Sequence, residues 1–234
     1  MKRLHIFQHL KTNQTGHVTL WAQKRNLETT ISTFFDTDYI IPPADEVDGL
    51  VVLGGPMSVN DEENHPHLIQ EKAFIREMYN SGKKIFGICL GAQMIANAFK
   101  SKVSKSEVKE IGWHEISLTP EGIESPILKD FPKNFSSFQF HEDTFELPEG
   151  AELLASTPEC PNQAYSIKDK VFAVQFHPEM QEDTVINLAN NWLPKMGKGK
   201  KIQEAEEMLS QCSLIPENHK RLEDMLDRFF LKNQ

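Results

Sequence analysis

Phe86-Gly87-Ile88-Cys89-Leu90-Gly91 sets a thiol between two glycines, directly after an apolar run and just before an amphipathic segment, Gln93 to Phe99. A strand that breaks into a sharp turn and restarts as a helix is the setting of a nucleophile elbow. The chemistry asks for those glycines. A side chain at the apex of so tight a turn sits in strained backbone space, and small neighbours keep Cβ atoms out of the way. The helix that opens at the turn aims its free N–H groups and positive dipole end at the sulfur, which favours a thiolate and a developing oxyanion. Taken alone, the same residues fit a buried cysteine on a plain strand–helix turn equally well.

Two other stretches bear on that choice. Gly54-Gly55-Pro56 closes the apolar run Asp48 to Leu53. Glycines at the carboxyl end of a buried strand let backbone N–H groups approach a substrate, and one use is an oxyanion donor. The motif is too short for a dinucleotide fingerprint and has no Gly-Lys-Ser/Thr of a phosphate loop. Val174-Gln175-Phe176-His177-Pro178-Glu179 ends another apolar run. A thiol needs a base, and the base needs an orienter to hold its tautomer. His177 and Glu179 have the types and spacing for those roles. A lone histidine at a strand end is usually structural. Joined to an elbow cysteine and a glycine loop, each at a strand end, it becomes one corner of a common cleft.

The elements that must position these residues read as follows. Strands are expected at Leu4–Leu10, Thr29–Phe35, Asp48–Leu53 and the elbow run, with helices at Gly16–Asn26, His67–Asn80 and after Cys89. Such alternation means an open, mostly parallel α/β sheet with helices on both faces. The pattern then changes to short strands joined by turns: Ile111–Leu118, Phe135–Phe140, Glu152–Ser156, Gln163–Ile167 and Val171–Phe176. These read as antiparallel strands at the sheet edge. A helix from Thr184 to Leu193 should stop at Pro194. Residues 1–194 therefore read as one domain. The basic stretch Lys195 to Lys201 reads as a linker into a C-terminal helical extension, 195–234. There Ile202, Ala205, Leu209 and Cys212 line one amphipathic segment, and Leu222, Met225, Leu226, Phe229 and Phe230 line a second. A small helical hairpin packed on the domain is the simplest arrangement.

Bulk chemistry narrows the partners. A net charge of −9 argues against nucleic acid or an anionic membrane surface as partner. No apolar run approaches the roughly 20 residues that span a bilayer, and the broken start Lys2 to His9 is no signal peptide. Cys89, Cys160 and Cys212 are odd in number and far apart, so a reducing, cytoplasmic compartment is expected. Cys160 and Cys212 lack a neighbouring base and read as structural. His5, His9, His65, His67 and His114 show no metal-ligand spacing, so neither a metal nor a cofactor is expected.

Together, Phe86 to Gln93, Leu53 to Val59 and Val174 to Glu179 resemble class I, triad-type glutamine amidotransferases, in the stand-alone branch similar to the glutaminase domain of GMP synthetase. His141 to Pro148 and Ala155 to Ala164 are similar to that branch too, and the likeness runs from Leu4 to Leu193. The resemblance implies a flavodoxin-like sheet and a mechanism. Cys89 attacks the side-chain amide of glutamine, His177 moves the proton, Glu179 orients His177, and the N–H groups of Gly55 and Leu90 hold the oxyanion. It also implies that Gly54, Gln93, His141 and Asp143 border the substrate. Many relatives have Gly between the last two, where this chain has Glu142.

The same acyl-enzyme chemistry serves a γ-glutamyl peptide hydrolase, so the small-molecule substrate is glutamine or a γ-glutamyl compound. A redox-sensing or non-catalytic subunit is a reading from another class, although a sensor needs only the thiolate and not His177 with Glu179. No ATP-pyrophosphatase loop is recognisable, so an ammonia acceptor would be a separate synthetase.

Overall fold

The computed structural model describes residues 1–11 and 15–231. The expected extension to 234 therefore has its last residues, 232–234, outside the described part.

Among the described residues nine strands form one sheet in the order β2-β1-β3-β4-β9-β8-β7-β5-β6. The first five positions are parallel: β2 (Glu28–Thr33), β1 (Arg3–Gln8), β3 (Gly49–Val52), β4 (Lys84–Ile88) and β9 (Val171–Val174). The central strands β3, β4 and β9 are short, mostly apolar stretches buried along their length apart from Lys84 at the start of β4, because both faces are covered. Val51 and Phe86 look to one side, against α1 (Gly16–Lys24) and α8 (Ile215–Leu226). Leu50, Val52 and Ile85 look to the other, against α2 (His67–Asn80) and α3 (Leu90–Ala98).

The far half is antiparallel, as the change of pattern implies. There β8 (Ala164–Ile167), β7 (Glu152–Ser156), β5 (Val103–Leu118) and β6 (Asn134–Phe145) each reverse on their neighbour. The short helix α4 (Pro120–Glu124) joins β5 to the turn before β6. β5 and β6 are longer than the apolar runs Ile111–Leu118 and Phe135–Phe140. Their added arm, Val103 to Lys109 against Glu142 to Phe145, is charged and mostly solvated on one side, so hydrophobic content alone does not mark it. A register shift between Lys105 and Glu110 bends this arm.

Two expectations need correction. The helix after β9 does not stop at Pro194. It runs as α5 (Glu182–Asn187), widens into a π turn at Leu188–Trp192, and continues as α6 (Leu193–Met196) with Pro194 in the first turn. The N–H of Leu193 reaches back to Leu188 O, and a proline early in α6 lacks only an N–H that a helix start leaves unpaired. Nor do the tail segments form a hairpin. Ile202 bridges Ile111 at the sheet, and α7 (Ala205–Ser210) packs Met208 beside Ile111 and Trp113. α8 instead lies along α1, where Asp227 accepts from Trp21 Nε1 (2.8 Å) and Arg25 (2.6 Å). Phe229 and Phe230 reach the core under β4 and β9, and each such burial is worth about 2 kcal/mol.

Candidate active site

Four neighbouring parallel strands, in spatial order β1, β3, β4 and β9, deliver His9, Gly54–Gly55, Cys89 and His177 to one edge. Cys89 caps α3 with φ +52° and ψ −108°, a conformation that costs a non-glycine residue on the order of 1–3 kcal/mol. Flanking bonds hold it there: Cys89 N donates to Val174 O (2.8 Å), and Gln93 N donates to Cys89 O (3.1 Å). Gly91 is required by closeness, since a Cβ there would lie 2.0 Å from Val52 O. The elbow expected at residues 85–93 is formed.

His177 leaves β9 with its N–H donating to Phe138 O (2.8 Å), which ties the loop to β6. Its Nδ1 meets Glu179 Oε1 at 2.7 Å, and both side chains are buried. Burial is the strongest single influence on the imidazolium and opposes it. Glu179 and Cys89 together outweigh burial and raise the His177 pKa to about 10. The tail assists: His219 of α8 donates from Nε2 to Met180 O (2.7 Å), just past Glu179.

Gly55 and Leu90 lie against each other beside Cys89. A Cβ on Gly55 would strike Leu90 Cδ2 at 2.6 Å and His9 Cβ at 2.8 Å. Leu90 N–H is the first of α3, one of the groups a helix start leaves unpaired.

Cys89 stands where two cavities meet. One, of about 290 Å³, holds the cleft's polar and charged groups, Gln93, Lys105, His141, Glu142 and Asp143, beside apolar Met57, Phe140 and Trp192. Gln93 donates through Nε2 to Asp143 O and to Gln175 Oε1, both at 3.1 Å. Lys105 pairs with Asp143 (2.8 Å), and Lys109 pairs with Glu142 (3.2 Å). Glu142 is thus balanced by lysines from the β5 arm. The other cavity, of about 90 Å³, is nearly all apolar. Leu10, Phe140, Met180, Leu188 and Trp192 wall it, and His177 shares its floor with Cys89. Trp192 borders both cavities from the π turn.

His141 lines the polar cavity, but its nitrogens are taken. Nδ1 meets Asp143 O and Nε2 meets Glu110 Oε2, each at 3.1 Å. Glu110 also accepts from Thr157 and Gln163, both at 2.7 Å. The donor atoms of Glu110, His141 and Cys160 lie within 4.8 Å of one another. Both His141 nitrogens and both Glu110 oxygens are already hydrogen-bonded within the protein, and burial raises the Cys160 thiol to about 11. All three cysteines are free.

Sequence reasoning missed Glu110, Lys105 and Trp192, together with the buried pairing of His9 and His67 through Glu71. His67 and Glu71 stand four apart on one helix, a spacing visible beforehand. Their link to His9 needs β1 laid beside α2.

Residues 14–191 match the family Glutamine amidotransferase class-I. The chain belongs to that family. It is 31% identical over 195 residues to the glutamine amidotransferase-like protein YfeJ of Salmonella typhimurium, covering 80% of this chain and 79% of that protein. It is 34% identical over 179 residues to the glutamine-hydrolysing GMP synthase of Caldicellulosiruptor saccharolyticus, a match spanning 74% of this chain and 33% of that enzyme. The crystal structure of a glutamine amidotransferase from Thermotoga maritima superposes with a TM-score of 0.87 at 25% identity, covering 99% of both chains. The α/β fold, the mixed sheet and the C-terminal helix are those of this family.

Proposed function

We propose that the protein hydrolyses the side-chain amide of glutamine through a Cys89–His177–Glu179 triad. The observation that carries this reading is the strained elbow of Cys89 facing His177, whose Nδ1 is fixed by Glu179 at 2.7 Å. The Cys89 thiolate attacks the amide carbon. The N–H groups of Leu90 and Gly55 receive the oxyanion, and one such donor is worth about 3 kcal/mol in a transition state. The amide nitrogen leaves as ammonia with a proton from His177. Water, deprotonated by His177, then attacks the γ-glutamyl thioester and releases glutamate and the thiolate. The polar cavity takes the amino-acid end of the substrate. Asp143 and Glu142 offer carboxylates to its ammonium, Lys105 offers a cation to its carboxylate, and Gly54, Gln93 and His141 shape the wall.

In this reading residues 1–194 carry the chemistry and 195–234 brace it, and the protein works in the cytoplasm. Among the described residues no helix is long and apolar enough to cross a membrane. The relative named GMP synthase is about three times the length of the matched part. That relative's name joins glutamine hydrolysis to a synthase, and in this reading the released ammonia passes to a separate synthetase.

A second reading has its own support. The apolar cavity shares His177, the proton donor to the leaving nitrogen, and suits an apolar N-substituent rather than a bare amide. That points to γ-glutamyl amides as substrates for the same triad. Ammonia release from glutamine, beside amine release from γ-glutamyl anilide, separates the two. Turnover of glutamine that disappears in Cys89→Ala supports the first reading. Fast anilide cleavage without glutamine turnover replaces it with the second. Inactivity toward both, with the synthetase candidates present, removes the catalytic reading.

A further inference from the structure

His9, Glu71 and His67 form a buried chain of titratable groups that takes no part in the steps above. His9 follows the end of β1, with Nδ1 donating to Gly54 O at 3.2 Å. Its Nε2 meets Glu71 Oε2 at 2.8 Å, and Glu71 Oε1 meets His67 Nδ1 at 2.7 Å. Both Glu71 oxygens are thus held, and the Glu71 side chain is fully buried. The Phe34 ring stacks on both imidazoles, with centroids 5.4 Å from His9 and 5.0 Å from His67. His9, Glu71 and His67 line neither cavity at Cys89. A buried ionisable pair is a poor device for stability, since desolvation offsets most of its attraction. What it does supply is a fixed ring orientation.

That orientation acts on one peptide group. Gly54 C=O and Gly55 N–H belong to the same planar unit and point in opposite directions. With the oxygen drawn toward His9, the N–H is turned away from His9. Gly55 lines both cavities at Cys89, and among the described residues its N–H donates to no protein oxygen. Two adjacent glycines give this peptide little resistance of its own to rotation. Rotated, it would present a carbonyl oxygen where an oxyanion must form.

We propose that His9, fixed by Glu71 and His67, is a positioning residue that locks the Gly54–Gly55 peptide with its N–H toward the oxyanion. This rests on the reading of Gly55 as an oxyanion donor, and the experiment separates the two.

The full-length protein is compared with His9→Asn, His9→Gln and Glu71→Gln. An asparagine amide stands in for Nδ1 and keeps a donor to Gly54 O, whereas a glutamine amide stands in for Nε2 and does not. The readouts are kcat and KM for glutamine, inhibition by glutamate γ-semialdehyde, alkylation of Cys89 by iodoacetamide, and the thermal midpoint. The semialdehyde carbonyl adds the Cys89 sulfur, and its oxygen becomes the oxyanion or, once protonated, the hydroxyl of a thiohemiacetal. Direct alkylation reads the thiolate without needing the hole. For His9→Gln, kcat should fall about 100-fold with KM changed by less than about threefold, as for loss of one oxyanion donor. Semialdehyde affinity should fall in parallel and alkylation should hold steady. His9→Asn should recover most of both losses, and Glu71→Gln, which loosens the ring but leaves it in place, should fall between. Equal losses in His9→Asn and His9→Gln at matched thermal midpoints would overturn the proposal. So would a fall in alkylation that matches the fall in kcat, or unchanged kcat in all variants. If the unaltered protein neither turns over glutamine nor captures the semialdehyde, the glutaminase reading fails and this proposal fails with it.

Discussion

His141 and His177 flank the cleft of Cys89, and each is paired with a buried glutamate, Glu110 and Glu179 respectively. Composition and burial do not tell them apart. The second ring nitrogen does. In His141 it meets Asp143 O, so both nitrogens are spent on the protein. In His177, among the described residues, only Nδ1 is held by a protein oxygen, and the ring interacts with Cys89. His9 behaves like His141, with Glu71 at one nitrogen and Gly54 O at the other. A buried His–Glu pair is therefore no sign of catalysis by itself. In the proposed mechanism it is a base where one nitrogen is left for the nucleophile, and a strut where both are bonded.

The largest effect should come from removing that nitrogen. His177→Ala is expected to lower kcat/KM for glutamine by about 10⁴-fold or more, measured by ammonia release, with the thermal midpoint nearly unchanged. Next comes Glu179→Gln, expected to lower kcat by at least about 100-fold, because the carboxylate that fixes the tautomer is lost. It should also move the pH profile. The His177 pKa is raised to about 10, so its imidazolium persists through neutral pH in the folded protein. The stability this contributes is complete below the unfolded value near 6.5 and is lost as pH rises through about 10. The alkaline loss assigned to His177 should thus lie near pH 10 in the unaltered protein and shift downward in Glu179→Gln.

Glu110→Gln tests the strut. It removes the charge facing His141 and should cost about 3 kcal/mol of stability in denaturant unfolding, as for a broken buried pair. The accompanying loss of kcat should be less than about tenfold. A large catalytic loss with intact stability would erase the distinction between the two histidines. The smallest effect is expected from Trp192→Ala. It should reduce kcat/KM for γ-glutamyl anilide by about three- to tenfold, within the range of a lost apolar contact, and leave glutamine nearly untouched.

The residues of the proposed triad were legible in the sequence as motifs, and the struts were not. Cys89, Gly55 and His177–Glu179 are marked by motifs because each sits at a strand end whose turn demands Gly or Pro. The central parallel strands β3, β4 and β9 were legible for a related reason: doubly buried strands read as nearly unbroken apolar runs, whereas the exposed edge strand β2 showed only its β-branched content. The struts depend on contacts between elements distant in the chain, such as His9 with Glu71, which no local pattern reports. The polar arm of β5 was hidden because one face is solvated, although it delivers Lys105 to the cleft. The π turn at Leu188–Trp192 was hidden as well, since Pro194 is an ordinary stop signal and only the wider turn shows how the helix passes it.

The central claim is that Cys89 is the acyl-forming nucleophile. The most direct measurement is peptide mass spectrometry after exposure to diazo-oxo-norleucine, a glutamine-directed electrophile. A single adduct on Cys89, suppressed by excess glutamine and lost in Cys89→Ala, is the predicted result. No adduct, or labelling at Cys160 or Cys212 in place of Cys89, would contradict the account.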